Sequence, residues 1–345
     1  MPARSASPTI DLKRLTRYRL SRRKSKVAWK TFAKVTPQGS SFRTFFDGLP
    51  RILAGESLHR LVEAIAQARK RGKPVIALLG AHVLKVGLSP LIVDWIERGV
   101  VTALATSGAG IIHDFELSLQ GKTSEEVAEA LADGSFGMAE ETADGLNGAI
   151  RQGAREGLGL GESVGRAIEK SRFRFKKLSL FAACWRKRIP ATVHVAIGTD
   201  IIHQHPSCDG AAVGETSLTD FRKLTQAVAG LGEGGVAPPP DPGPSGRPPK
   251  AVPPSATGAG GGVVLNIGSA VILPEVFLKT VSTCRNLGYP VKGFTAANLD
   301  MIQHYRPHQN ILLRPTALGG QKINLIGHHE ILLPLLYAAL NERLK

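Results

Sequence analysis

At 345 residues, with 43% hydrophobic and 21% charged residues, the chain has the length and balance of a globular protein with a full core. No apolar run approaches the roughly 18 residues that span a bilayer, and the N-terminus has no hydrophobic secretory segment, so a cytoplasmic protein without membrane association is expected. Cys184, Cys208 and Cys284 stand far apart and form no CxxC, which points to a reducing compartment and away from a thiolate zinc site.

The net charge of +16 is unevenly spread: residues 1–34 hold 11 Lys/Arg and a single acidic residue, Asp11. Basicity is therefore mostly a property of an N-terminal arm, and nucleic-acid binding by the fold itself is not expected. The arm (1–45) contributes little to a core and reads as a mobile segment, with docking onto a neighbouring subunit or an acidic partner as the alternative. The remainder, 46–345, reads as one α/β domain.

Within that domain the pattern predicts an amphipathic helix over 49–71, then a buried strand over 75–79 leaving through Gly80-Ala81-His82. A helix over 88–98 precedes a strand over 101–105, which exits through Thr106-Ser107-Gly108-Ala109-Gly110. Two small-residue exits from neighbouring strands open at one sheet edge, where a nucleotide can be held. A helix over 124–131 carries a capping-box pattern at Thr123 and Glu126, and segments over 133–165 are expected to cover the site. A basic helix spans 163–187. A strand over 193–197 then enters a polar cluster holding Asp200, His203 and His205. A helix over 219–231 leads to a Gly/Pro-rich surface insertion at 232–262, too poor in apolar surface to order itself.

The most informative stretch runs from Val263 to Asp300. A strand over 263–267 turns at Gly268-Ser269 into a helix over 274–287, with Pro274 at its first position and Gly288 as its stop. A strand over 291–296 follows and ends near Asn298 and Asp300. Strand, glycine turn, helix and strand make one βαβ unit of a parallel sheet. Further strands are read over 311–313 and 323–326, the latter exiting into Gly327-His328-His329-Glu330 before a closing helix over 331–344. The fold class is therefore α/β, a mainly parallel, Rossmann-like sheet with helices on both faces.

Several stretches carry a resemblance: Thr106-Ser107-Gly108-Ala109-Gly110 with Asp114 beyond, Ile189-Pro190 followed by Ala196 to Asp200, Asn266-Ile267-Gly268-Ser269, Thr295-Ala296 with Asp300, and Leu333-Pro334-Leu335-Leu336. Their order resembles the deoxyhypusine synthase family across residues 45–344. That resemblance implies an NAD-binding, Rossmann-like enzyme that moves an aminobutyl group from a polyamine, assembled as a homotetramer. It assigns cofactor contacts to Thr106, Ser107, Gly108, Gly268, Ser269, Thr295, Ala296 and Asp300, to which the exit loop of the first strand adds Ala81 and His82. The lysine on which the family's transfer depends falls at about Pro315, beside Arg314, and the family's Asp-Ala-Ser turn is here His328-His329-Glu330.

Without that lysine, the expected chemistry is NAD-dependent action on an amine or polyamine, with transfer or oxidation as its outcome. His203, His328 and Glu330 are the candidates for moving protons, and Asp200, Glu275, Gln303 and His304 for holding the cationic substrate. A second reading uses the histidines as metal ligands, with His203, His205 and His328 as the set, because imidazole with carboxylate suits zinc, iron or manganese. On an extended segment His203 and His205 would share a face. A third reading is a non-catalytic relative kept for assembly.

Overall fold

The computed structural model describes residues 9–234 and 260–344. Residues 9–30 are exposed throughout and form only short 3-10 turns. The chain joins the folded body where Arg51 N–H donates to Thr31 O and Lys34 N–H to Gly48 O. Helices α1 (Phe42–Asp47) and α2 (Leu53–Lys70) follow. The helix expected over 49–71 is thus shorter, because Pro50 and the turn to Leu53, which has a φ of 47°, delay its start. Strand β1 (Val75–Leu79), the single turn α3 (His82–Lys85), α4 (Ser89–Glu97) and β2 (Ala103–Ser107) complete the first βαβ unit.

From β2 the chain enters α5 (Gly108–Gln120), α6 (Val127–Asp133), α7 (Glu140–Arg155), α8 (Leu160–Lys170) and α9 (Leu180–Lys187). The basic helix expected over 163–187 is two helices: α8 ends at Lys170, and the Ser179 hydroxyl caps the start of α9 by accepting from Ala182 N–H. The capping box expected at Thr123 and Glu126 is absent, since Thr123 Oγ1 donates to Glu116 instead. Then come β3 (Ala191–His194), α10 (Gly210–Ala229), β4 (Val263–Ile267), α11 (Ile272–Asn286), β5 (Phe294–Asp300), a π-helix over Pro307–Leu313, β6 (Gly320–Ile326) and α12 (His329–Arg343). The insertion expected at 232–262 lies for the most part, over 235–259, outside the described residues.

Two readings of short apolar runs fail for local reasons. Pro290 and Gly293, the latter with a φ of 68°, hold 291–293 out of the sheet, so β5 begins at Phe294 and ends at Asp300. Ile311 and Leu312 are buried, but as part of the π-helix; three apolar residues do not distinguish a strand from a helical turn.

The six strands form one sheet in the order β3-β2-β1-β4-β5-β6, every pair parallel. Alternation along the strands divides the interior into two cores. Val75, Ala77 and Leu79 face one side with Leu61 of α2, Trp95 of α4, Phe115 of α5 and Leu336 of α12. Ile76 and Leu78 face the other with Leu224 of α10, Phe277 of α11 and Ile311. No described helix is long and apolar enough to cross a membrane.

The order of strands decides where a ligand can sit. The chain leaves β1 toward the first face, where Val83 and Leu84 of α3 are buried, and leaves β4 toward the second, where Leu273 of α11 is buried. The loops after these two adjacent strands therefore diverge and open a crevice at the carboxyl edge of the sheet. This is the switch point at which open parallel sheets bind their ligands.

Candidate functional site

The floor of the crevice is two glycines. Gly80 N–H donates to Ile267 O at 2.8 Å, and Gly268 N–H donates to Leu299 O at 3.0 Å. A β-carbon on Gly80 would lie 2.0 Å from Gly268 O, so the two exit loops touch through bare backbone. Gly268 has a φ of 69°, and a β-carbon there would meet His329 Cε1 at 2.8 Å. Glycine is required at both positions, by close approach at the first and by conformation at the second.

His329 closes the crevice from α12. It is 1% exposed; Nε2 sits 3.2 Å from Leu299 O and Nδ1 has no partner. The carbonyl can only accept, so Nε2 carries a proton, and in the tautomer with that single proton Nδ1 is an acceptor. The His82 ring lies 5.4 Å from it, centroid to centroid. At the end of β5, Asp300 Oδ1 accepts from Met301 N–H while the buried Oδ2 has no partner. Ser269 Oγ accepts from Leu273 N–H at 3.3 Å, in the first turn of α11.

Beneath this edge runs a ladder of amides. Asn266, Asn298 and Asn324 are in register on β4, β5 and β6. Asn266 Nδ2 donates to Asn298 Oδ1 at 2.8 Å, Asn298 Nδ2 to Asn324 Oδ1 at 3.0 Å, and Asn324 Nδ2 to Gln303 Oε1 at 3.0 Å. Asn266 also donates to Ser269 O, which ties the ladder to the glycine turn. Gln303, expected to hold substrate, is instead the exposed end of this chain.

On the other side of β1 the exit of β2 packs against the loop after β3. Thr106 Oγ1 donates to Leu79 O, which staples β2 to β1 and commits the hydroxyl to the scaffold. Ser107 is the N-cap of α5, and a β-carbon on Gly108 would fall 1.8 Å from Asp200 Oδ2. Asp200 thus seats its carboxylate at the positive end of α5. Its Oδ2 is buried without a partner 3.9 Å from His203 Nε2, which is also unpartnered. Gly198 N–H donates to His203 Nδ1, so the neutral ring carries its proton on Nε2, directed to this gap. Burial raises the Asp200 carboxyl above the usual range.

Neighbouring strands lie about 4.8 Å apart, so the exits of β2 and β4 are separated by about 10 Å along one rim. Ala81, His82, Ser107, Gly108, Asp200, His203, Gly268, Ser269, His329 and Asp300 all belong to that rim.

Other expected site residues lie elsewhere. Thr295 and Ala296 are buried near the start of β5, paired with Val263 and Val264, at the opposite end of the sheet from Gly268. The resemblance assigned them to the exit, and the strand, expected to end at 296, runs on to Asp300. Glu275 is held by Lys279, by Arg306 at 3.3 Å and by Asn310 at 2.8 Å; the Lys279 hydrogen bond chiefly lowers its pKa. It has no free charge for a substrate amine. His304 is partly buried, with its carbonyl opening the first turn of the π-helix to His308 N–H. His328 and Glu330 form an exposed pair 3.7 Å apart at the start of α12. The buried member of that run is the middle one, His329, because His328 is an extended N-cap and the helix turns its next residue inward.

The metal reading finds no support: among the described residues no three His, Cys, Asp or Glu side chains are placed to hold an ion. The His203-x-His205 segment is a 3-10 turn, not extended, and His205 Nε2 pairs with Gly137 O at 2.8 Å.

The asparagine ladder was missed by sequence reasoning, and His329, grouped with the strand-exit histidines, was passed over in favour of His328. Both left a trace. Asn266, Asn298 and Asn324 stand three from the end, or nearer, in three apolar strands, and a histidine followed by Glu and a proline-interrupted apolar helix marks the start of α12.

No family model and no curated protein matches the chain. Solved structures do. AgrE in ternary complex with ornithine and NAD+ is 14% identical, with a TM-score of 0.49, over 85% of this chain and 34% of that one. ArgZ, an arginine dihydrolase of the ornithine-ammonia cycle in cyanobacteria, is 14% identical with a TM-score of 0.47, over 84% of this chain and 33% of that one. A putative deoxyhypusine synthase from Entamoeba histolytica is 10% identical with a TM-score of 0.47, over 88% of this chain and 93% of that one. The chain spans about a third of the length of the first two. At these identities the likeness is one of fold.

Proposed function

We propose that the crevice between β1 and β4 binds a nicotinamide dinucleotide and that the protein acts on an amine beside it. One observation carries this reading: at the switch point of the sheet, bare glycine backbone is bordered by buried acceptors with nothing to accept from. His329 Nδ1 and Asp300 Oδ2 are such atoms on the β4–β5 side, and Asp200 Oδ2 is another on the β2–β3 side. Gly80 and Gly268 let the two exit loops and His329 meet at the crevice floor, and Asp300 is the acceptor for ribose hydroxyls. The residues present thus fit the group. When bound, a nicotinamide cofactor supplies a two-electron hydride acceptor.

The chain's own residues account for the other half of the chemistry. An ammonium donates hydrogen bonds, and the Asp200 carboxylate accepts them in a site whose burial strengthens the attraction. His203 Nε2, 3.9 Å from Asp200, leaves a gap that a polar group of a substrate can bridge. There His203 and Asp200 form an acid–base pair for the proton that an amine must lose before oxidation.

The lysine nearest the family's position does not stand at this edge. Lys322 lies near the start of β6, paired with Ala296 at the far end of the sheet, and Pro315 precedes β6. A lysine-bound intermediate therefore has no anchor at that position, and the reaction class is amine oxidation or direct aminoalkyl transfer to an external acceptor.

Isothermal titration of the full chain with NAD and NADP is the test. Saturable binding below millimolar concentration, weakened at least tenfold by His329→Ala, is the expected result, on the order of one lost hydrogen bond to a buried group. Absence of heat with either cofactor at millimolar concentration overturns the proposal.

A further inference from the structure

Two surface regions at different places in the chain are complementary in both charge and apolar character. The first is the arm. Residues 9–34 contain ten Lys/Arg and one acidic residue. None of the ten forms an ion pair among the described residues. Interleaved with them, Ile10, Leu12, Leu15, Tyr18, Leu20 and Trp29 are between 65% and 89% exposed. Water is a poor solvent for such a row of side chains, and contiguous exposed apolar surface marks an interaction site.

The second is the lobe around α6. Over residues 123–150 the chain has seven acidic residues and no Lys or Arg. All seven, Glu125, Glu126, Glu129, Asp133, Glu140, Glu141 and Asp144, are exposed, and none is ion-paired among the described residues. Helix α6 buries none of its residues. Val127 and Leu131, one turn apart and so on one face, are 46% and 66% exposed, and Met138, in the turn that follows the helix, is 46% exposed. A helix with an unpartnered apolar pair inside a field of carboxylates lacks the contact that would stabilise it.

We infer that the arm of one copy of this chain docks on the α6 lobe of a second copy. Aliphatic side chains of the arm cover Val127, Leu131 and Met138, and its cations meet the carboxylates. Each copy has one arm and one lobe, so reciprocal exchange closes a two-fold dimer with no unmatched surface. Arm residues 9–30 fall within the roughly 20–30 residues a side of a stable protein interface. The lobe favours this occupant over a nucleic acid. Phosphates would neutralise the cations but leave Ile10, Leu12, Leu15 and Leu20 in water, since only aromatic rings stack on bases.

The test uses light scattering and sedimentation of the full chain, with charge reversal in two variants. One carries Arg14→Glu, Arg17→Glu and Arg19→Glu on the arm; the other carries Glu125→Lys, Glu126→Lys and Glu129→Lys on the lobe. The unmodified chain is expected to self-associate, with a dissociation constant that rises at least about tenfold between low and high salt as the charges are screened. Each variant alone is expected to be monomeric. Their equimolar mixture is expected to recover a dimer, because the reversed arm then faces the reversed lobe and the native arm the native lobe. A monomeric unmodified chain overturns the inference, as does association indifferent to salt and to both reversals. So does a monomer whose arm crosslinks to its own lobe, or one whose arm is carried by co-purifying nucleic acid. The salt response of the unmodified chain decides the matter even if a variant fails to fold.

Discussion

The carboxylate of Asp200 stands directly over the α-carbon of Gly108, with Oδ2 1.8 Å from the place a β-carbon would occupy. The loop after β3 and the exit of β2 are thereby locked together at the positive end of α5. Gly108→Ala forces the carboxylate away, and overpacking of this kind destabilises by about 1–3 kcal/mol. Asp200→Gly in the same chain removes the obstructing group, so the double variant is expected to lose less than the sum of the two single losses. Urea unfolding of the four proteins measures that coupling. Strict additivity would mean that the two residues do not touch.

A different contrast separates the adjacent histidines at the start of α12. His329 is buried against Leu299 O, and His328 is exposed beside Glu330. His328→Ala is expected to leave cofactor affinity within about twofold and stability within about 0.5 kcal/mol, as for a surface change. His329→Gln keeps a donor for Leu299 O but moves the ring nitrogen that faces Gly268. It is expected to retain the fold and to lose at least about tenfold in NAD affinity, one hydrogen bond's worth. Titration calorimetry with thermal unfolding on both variants distinguishes the two roles.

The sequence carried the sheet better than it carried the rim. Buried parallel strands announce themselves as short apolar runs, and Val75 to Leu79 and Val263 to Ile267 are read correctly to the residue. Glycines at strand exits likewise placed Gly80, Gly108 and Gly268 at one edge. What failed was the identity of the inward-facing polar group after each exit. Whether His328 or His329 turns inward depends on one residue of helix phase, and boundaries are the least legible feature of a sequence. Thr295 and Ala296 went to the wrong end of the sheet because the resemblance placed them in an exit turn and β5 was read as ending at 296, four residues before Asp300. Glu275 looked available because Arg306 and Asn310, which hold it, are 31 and 35 positions away.

The amide ladder makes a prediction about specificity of pairing. Asn298 both accepts from Asn266 and donates to Asn324, and it is 1% exposed. Asn298→Leu strands two polar neighbours at once, at a cost of about 2–5 kcal/mol for two desolvated groups. Replacing Asn298 and Asn324 together by leucine removes one of those stranded groups and leaves behind only the exposed Gln303, which water can satisfy. The double variant is therefore expected to be more stable than Asn298→Leu alone. Denaturant midpoints of the two variants give the sign directly, and a double variant less stable than the single one would contradict the ladder as drawn.

Asp220 ties the fold to pH. It is fully buried, and its Oδ2 accepts from Gly161 N–H at 2.9 Å and Val193 N–H at 2.7 Å, joining α8 to β3. Oδ1 has no partner, and a β-carbon on Gly159 would lie 1.8 Å from it. Burial raises the carboxyl to about 7, against the opposing pull of those two backbone N–H groups. The folded state therefore prefers the protonated acid, with the proton on Oδ1. A carboxyl whose folded pKa exceeds its unfolded value of about 4 contributes its full stability below that lower value. The contribution falls as pH rises from about 4 and is lost above about 7. Asp220→Asn copies the protonated form, with the amide oxygen in place of Oδ2 and the NH2 in place of Oδ1. It is expected to match the parent near pH 4 and to exceed it by at least about 1 kcal/mol at pH 8. Thermal unfolding of both proteins across that range checks the sign. A parent that gains stability from pH 4 to pH 8 relative to Asp220→Asn would show that the two N–H groups outweigh burial and that Asp220 is ionised in the folded chain.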